Sequence, residues 1–209
     1  MKKGKFVVFE GIYGSGRIIV DLVNRLREAL AATGTEVIEI DSPDTGRAQL
    51  MGAEDLDSSW RYGVFESDFF FELAARARVC SVTREELARG KTVLCKSFTL
   101  SSIVYAELKG HDWFREDLNV LEARARGVQL GGEVAPDLTL FVDVPPVSAA
   151  AELGPKLKGH FTVADLERQL ALYRVELSKL PPGKSRVLRG DAPVDLLVAE
   201  ALPAIRALA

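Results

Sequence analysis

Apolar and polar positions along the 209-residue chain fall into short apolar runs alternating with longer stretches at helical spacing. Residues 5–10 form an apolar run closed by Gly11, the pattern of a buried strand. Gly11 to Gly16 is glycine-rich. From Arg17 onward Ile18, Ile19, Leu22, Val23, Leu26 and Leu30 recur at helical spacing until Gly34, so a helix follows the turn directly. Residues 36–40 predict a second strand ending at Asp41, and the polar, turn-rich residues 42–59 predict a loop with a short helix. A long helical pattern over 62–89 carries an aromatic cluster, Phe65, Phe69, Phe70 and Phe71, and ends at Gly90. A third strand is predicted over 92–95, followed by helices over 99–108 and 113–126. A strongly apolar strand over 138–144 is closed by Pro145 and Pro146. A helix over 162–180, a short strand over 186–188 and a helix over 193–208 complete the chain. Strands alternating with helices imply an α/β fold with a parallel sheet covered on both faces. Ligands of such sheets bind at the carboxyl ends of the strands, here residues 11–17, 41–47, 96–102 and 143–146.

Composition adds boundaries rather than chemistry. Hydrophobic residues make up 47% and charged residues 27%, enough for a sizeable core in one domain spanning 1–209. A net charge of −3 gives no electrostatic reason to expect a nucleic-acid partner. The apolar run after the first lysines is too short for a signal peptide and ends at Glu10, and no stretch approaches the length of a membrane span. A cytosolic protein that does not engage membranes is expected. Cys80 and Cys95 lack metal-ligand spacing and lie far from His111 and His160, so two buried thiols are expected and no metal site is assigned.

The chemistry concentrates in Gly11-Ile-Tyr-Gly-Ser-Gly16-Arg17-Ile18, set between a strand and a helix as a phosphate-binding P-loop requires. In G-x-x-x-x-G-K-[ST] both glycines stand at the right spacing, and Gly11, Gly14, Ser15 and Gly16 are the candidate phosphate cradle. Both chemical positions depart. Arg17 replaces the lysine, a planar fork in place of a compact point charge. Ile18 replaces the hydroxyl that would help hold Mg²⁺. A glycine turn with Ile18 and Ile19 packed in the core is the alternative reading.

Residues 6–17, FVVFEGIYGSGR, resemble the opening of thymidylate kinases. Residues 69–98 resemble that family's long helix, its glycine and its third strand. Ser101-Ser102-x-x-Tyr105 resembles the element that follows, and residues 136–146, PDLTLFVDVPP, resemble its fourth strand. The resemblance implies a P-loop NTPase fold with a five-stranded parallel sheet, nucleoside monophosphate kinase-like. It also implies ATP- and Mg²⁺-dependent phosphorylation of dTMP, and a homodimer. Several of the family's residues are replaced. The acidic residue of the loop is Tyr13, and the D-R-[YFH] triplet is Lys96-Ser97-Phe98. The lid, residues 149–161, carries no arginine, only Lys156 and Lys158. The helix arginine is ambiguous: Ala75 stands at its usual position, with Arg76 one residue off and Arg78 three. Phe71, Ser101, Ser102 and Tyr105 match substrate-side positions, where Phe71 and Tyr105 could equally be core and the serines could cap a helix.

Phosphoryl transfer rests on positioning and charge. With the lysine altered, the metal-siting side chains gone and the lid arginines missing, a catalytically inactive or strongly impaired homologue that binds a nucleotide or other anion is expected. In that reading Arg17 and Lys96 form a metal-free cationic pocket over the loop; Arg17 is the catalytic candidate, and an active kinase would draw its catalysis from Arg17, Arg76 or Arg78. ATP and Mg²⁺ are implied as cofactors only if an active kinase with a divergent loop is the correct alternative. A dimeric interaction module with an empty cleft, engaging a protein partner, is the third.

Overall fold

The computed structural model describes residues 4–40, 65–110, 115–127, 133–154 and 157–208. The loop predicted over 42–59, the strand end at 41–47, His111 and Lys156 lie outside the described residues.

Five strands, β1 (Lys5–Gly11), β2 (Val37–Ile40), β3 (Thr92–Lys96), β4 (Leu138–Asp143) and β5 (Ser185–Arg189), form one sheet in the order β2-β3-β1-β4-β5. Every pairing is parallel. The described helices are α1 (Gly16–Ala31), α2 (Phe65–Ala88), α3 (Thr99–Leu108), α4 (Arg115–Ala125), α5 (Pro146–Ala151), α6 (Val163–Ser178) and α7 (Val194–Arg206). This is the predicted five-stranded α/β architecture, and the helix at Thr99–Leu108 has the bounds read from the sequence. One element was not foreseen. Pro145 and Pro146 do more than close β4, because Pro146 opens α5 as its first residue, where its missing N–H costs nothing.

Burial on both faces explains why the central strands read as unbroken apolar runs. Val7 and Phe9 of β1 enter a core shared with Leu22 and Leu26 of α1, Leu166 and Leu170 of α6 and Leu197 of α7. Phe6 and Val8 face the other way, onto Cys80 of α2, Val93, Cys95 and Phe98. The two cysteines are buried and not disulfide-bonded, as expected, and burial pushes the Cys80 thiol up to about 11. No described helix is long and apolar enough to cross a membrane.

Register brings the working ends of the strands level. Phe9 lies opposite both Lys96 of β3 and Leu140 of β4, and Gly11 opposite Val142. Glu10 is the exception to the apolar run: it is 1% exposed, and its side chain ties three elements together. Its Oε1 accepts from the Phe98 N–H at 2.9 Å, and its Oε2 accepts from the Tyr173 hydroxyl of α6 at 3.3 Å. Burial pushes its carboxyl up to about 7, against the pull of the Phe98 N–H and the charge of Arg76.

A carboxyl whose folded pKa lies above its unfolded value stabilises the fold fully below about pH 4.5. That contribution is lost as pH rises towards about 7, because the folded chain must then ionise a buried acid. The loss amounts to about 3 kcal/mol. Glu10→Gln, which keeps an acceptor for Phe98, is expected to flatten this part of the stability–pH profile by a similar amount. Denaturant titrations at several pH values between 4.5 and 7.5 read it directly; an unchanged slope would show that Glu10 is not the group responsible.

Candidate functional site

The glycine turn leaves the end of β1 and enters α1 without a break. Ser15 stands at the N-cap but does not cap: its hydroxyl donates back to the Ile12 carbonyl at 2.6 Å, and its N–H donates to the same oxygen at 3.0 Å. No acidic side chain stands in the first turn of α1. The first-turn amides are therefore left uncapped at the positive end of the helix dipole. Gly14 has φ 88°, a left-handed conformation, and a Cβ there would collide with the Ala149 carbonyl of α5. Only glycine allows this approach between loop and lid. A cavity of about 370 Å³ opens at this point, lined by Gly11, Gly14, Ser15, Gly16, Lys96 and Ser101 among others. Its volume is within the range of small-molecule sites.

The cations expected around the loop are engaged elsewhere. Arg17 is largely exposed, with its guanidinium 3.7 Å from the Glu152 carboxylate just beyond α5. Lys96 lines the cavity wall, yet its Nζ lies 2.7 Å from Oε1 of Glu39 in β2. The structure thus brings Arg17 and Lys96 to separate carboxylates instead of pairing them over the loop. Ile18 packs against the main core. A side chain without oxygen at Ile18 and an ion-paired ammonium at Lys96 do not fit a protein-held Mg²⁺. Among the described residues no group of three or more His, Cys, Asp or Glu side chains is placed to hold a metal ion.

Arg76 is completely buried. Its Nε donates to Glu122 at 3.2 Å, and one terminal nitrogen reaches Glu72 at 3.0 Å and the Ser102 hydroxyl at 2.5 Å. Ser102 in turn donates to Glu72. The Phe98 ring lies 4.8 Å from the guanidinium carbon. Burial pulls the pKa of this guanidinium down, but Glu122 and Glu72 outweigh it and raise it overall. Arg78, by contrast, is exposed on α2.

The remaining substrate-side candidates divide. Ser101 donates to the Phe98 carbonyl at 2.7 Å and accepts from Ser97, at the rim of the loop cavity. Neither serine caps α3, whose N-cap is Phe98. Phe71 is half-buried on α2. Tyr105 is half-buried on α3 and meets Tyr13 edge-on, with centroids 6.5 Å apart. Tyr13 itself stacks on Phe161 at 4.5 Å, and the Lys109 ammonium lies 5.0 Å from the Phe161 ring. The Tyr13 N–H donates to Oε1 of the buried Gln169 at 2.9 Å. Phe161 precedes the capping box of α6, in which Thr162 and Asp165 exchange hydrogen bonds. That cap fixes the direction in which Phe161 enters, as a residue just before an N-cap does in packing onto the first turn.

Sequence reasoning did not single out Glu10, Glu72, Glu122, Gln169 or Phe161. For Glu10 a signal existed, because a carboxylate inside a strand expected to be covered on both faces needs partners. The others depend on which helix faces meet.

No family model matches the chain. It is 29% identical over 213 residues to a thymidylate kinase of Solidesulfovibrio magneticus, covering 98% of this chain and 94% of the relative. A thymidylate kinase of Burkholderia thailandensis is 32% identical over 162 residues, covering 74% of this chain and 72% of the relative. One from Geobacter sulfurreducens is 30% identical over 179 residues, covering 81% and 78%. With the strand–glycine turn–helix unit at the carboxyl edge of a β2-β3-β1-β4-β5 parallel sheet, these similarities place the chain in the thymidylate kinase family.

Proposed function

We propose that this member of the thymidylate kinase family binds a nucleotide or comparable phosphate anion at the loop cavity without a protein-held metal, and does not transfer a phosphoryl group at enzymatic rates. One observation carries the reading: Lys96 and Arg76 neutralise carboxylates of the protein itself, Glu39 and the Glu72–Glu122 pair, while Arg17 stands exposed with only a 3.7 Å surface contact to Glu152. Charge that stabilises a transferring phosphoryl group must be preorganised towards it. An arginine supplied for that purpose is worth about 10³–10⁵ in rate. Losing several such groups together is incompatible with ordinary turnover even where their effects overlap.

Binding does not need those charges to the same degree. The uncapped amides at the start of α1, the close approach at Gly14 and the cavity in front of them support an anion site. Phe161 stacks on Tyr13, at the loop position where the family resemblance implies an acidic residue facing the substrate's sugar, which supports binding without turnover. The homodimer implied by the family resemblance belongs to the same reading, as does a protein partner, with the exposed Phe70 of α2 and Val120 of α4 as apolar surface for such contacts.

Calorimetric titration with ATP, ADP, dTMP and dTDP, in Mg²⁺ and in chelator, tests this. Saturable binding that changes less than about threefold on metal removal is expected. A triple variant, Arg17→Lys, Ile18→Thr and Lys96→Asp, is expected to gain a metal dependence of about tenfold or more. Strictly Mg²⁺-dependent binding by the parent chain would contradict the metal-free site, and failure of all four ligands would leave the interaction module as the better account.

A further inference from the structure

Glu10 interrupts the apolar run of β1 just before the glycine turn, and it lines the phosphate-loop cavity beside Gly11, Lys96 and Ser97. It also lines a larger cavity, of about 710 Å³, bounded by Val8, Phe98, Ile103 and Leu180 among others. At 1% exposure it has almost no water of its own. Both of its hydrogen-bond partners are neutral, the Phe98 N–H at 2.9 Å and the Tyr173 hydroxyl at 3.3 Å. The second serves either protonation state, because a hydroxyl donates to a carboxylate and accepts from an acid.

The groups that face Glu10 do not give it a counter-ion. From α2, Arg76 offers one positive charge to three acids, and Glu72 and Glu122 take it in ion pairs at 3.0 and 3.1 Å. Glu10 meets that charge only at longer range. From β3, Lys96 is bound to Glu39 at 2.7 Å, and the Cys95 thiol is buried. The α3 segment contributes the Ser101 N–H and the loop presents Tyr13. From α6, burial pushes the ionisation of Tyr173 well up, so it stays neutral, and Glu176 is paired with Lys179 at 2.5 Å. On the far rim of the larger cavity Arg126 is matched to Glu133 and Lys184 to Asp137. A carboxylate at Glu10 is thus under-compensated before any ligand arrives, and burial holds its carboxyl at about 7.

We propose that an anion entering the loop cavity is bound together with a proton, which Glu10 takes up, so that binding at this site weakens as pH rises. This coupling rests on the anion site proposed above. Two like charges held close together in a poorly solvated space cannot both stay ionised at no cost. The anion cannot shed its charge there, and Glu10 is the acid at that wall without an ion pair. A ligand that raises the pKa of a group binds more tightly where that group is protonated, and its binding draws a proton from solution. The sign follows from the raised carboxyl. Free Glu10 ionises as pH rises through about 7, while a bound anion keeps it in the acid form to higher pH. Above that range the anion must displace the charge of Glu10 by drawing in a proton that is increasingly scarce.

The test is calorimetric titration of the full-length chain with sulfate, which carries no titratable proton near neutral pH, and with dTMP, in buffers of different ionisation enthalpy. Uptake of about half a proton per bound anion is expected near pH 7.5, with sulfate affinity about threefold to tenfold weaker at pH 8.5 than at pH 6.5. Glu10→Gln is expected to bind sulfate without proton uptake and with most of that pH dependence gone. Tyr173→Phe, which removes a donor to the carboxylate, is expected to keep the coupling and move its midpoint to higher pH. Saturable binding without proton uptake by the parent chain, or uptake that persists in Glu10→Gln, would overturn the proposal while leaving the anion site standing. An unmoved midpoint in Tyr173→Phe would overturn it even if Glu10→Gln proved unstable. Failure of both probes to bind would overturn the anion site itself and the coupling with it.

Discussion

Arg76 has no contact with water, and a guanidinium in that position must be met by carboxylates or the fold cannot close around it. Glu72 from its own helix, Glu122 from α4 and the hydroxyl of Ser102 from α3 converge on it, while Glu10 of the central strand feels its charge. Three helices and the sheet are thereby held in one arrangement. The same arrangement decides what the protein can do. Nε and one terminal nitrogen of Arg76 are committed to internal partners and its charge is balanced by Glu72 and Glu122, which leaves only the buried second terminal nitrogen without a hydrogen bond.

This exchange recurs on a smaller scale at the phosphate loop. Lys96 stands at the end of β3, level with Phe9, yet its ammonium binds Glu39. Arg17 follows the last loop glycine, yet its guanidinium lies nearest Glu152. The backbone of the loop survives these changes because its geometry rests on glycines and on the Ser15–Ile12 turn, not on the side chains that perform chemistry. In the proposed reading a phosphate cradle and a phosphoryl-transfer site are separable, the loop backbone supplying the first while Glu39 and Glu152 pair with the cations beside it.

The architecture was legible because central strands of a parallel sheet covered on both faces leave continuous apolar runs and because glycines mark the turns after them. The runs at β1 and β4, and Gly34 and Gly90 at helix ends, placed those elements within about three residues. The family resemblance pointed to the loop and to the replaced positions, and the replaced side chains do sit at the loop cavity or beside it. What the sequence could not supply was side-chain direction. Arg76 and Arg78 are two residues apart on one helix, and only the packing of α2 against α3 and α4 sends the first inward and the second to solvent. Lys96 and Glu39 lie far apart in the chain and meet through the pairing of β2 with β3. Tyr13 and Phe161 meet because the capping box of α6 and the turn after α5 return the chain to the loop.

The central claim is that positive charge is withheld from the transferring phosphoryl group. It is tested most directly by following γ-phosphoryl transfer from radiolabelled ATP·Mg²⁺ to dTMP under single-turnover conditions, with protein in excess so that product release and weak steady-state turnover cannot mask the chemical step. The account predicts a transfer rate several powers of ten below about 1 s⁻¹, the low end of ordinary enzymes. Labelled dTDP formed at about that rate or faster would contradict it, and would mean that Arg17, Lys96 or Arg76 leaves its carboxylate partner when substrate binds.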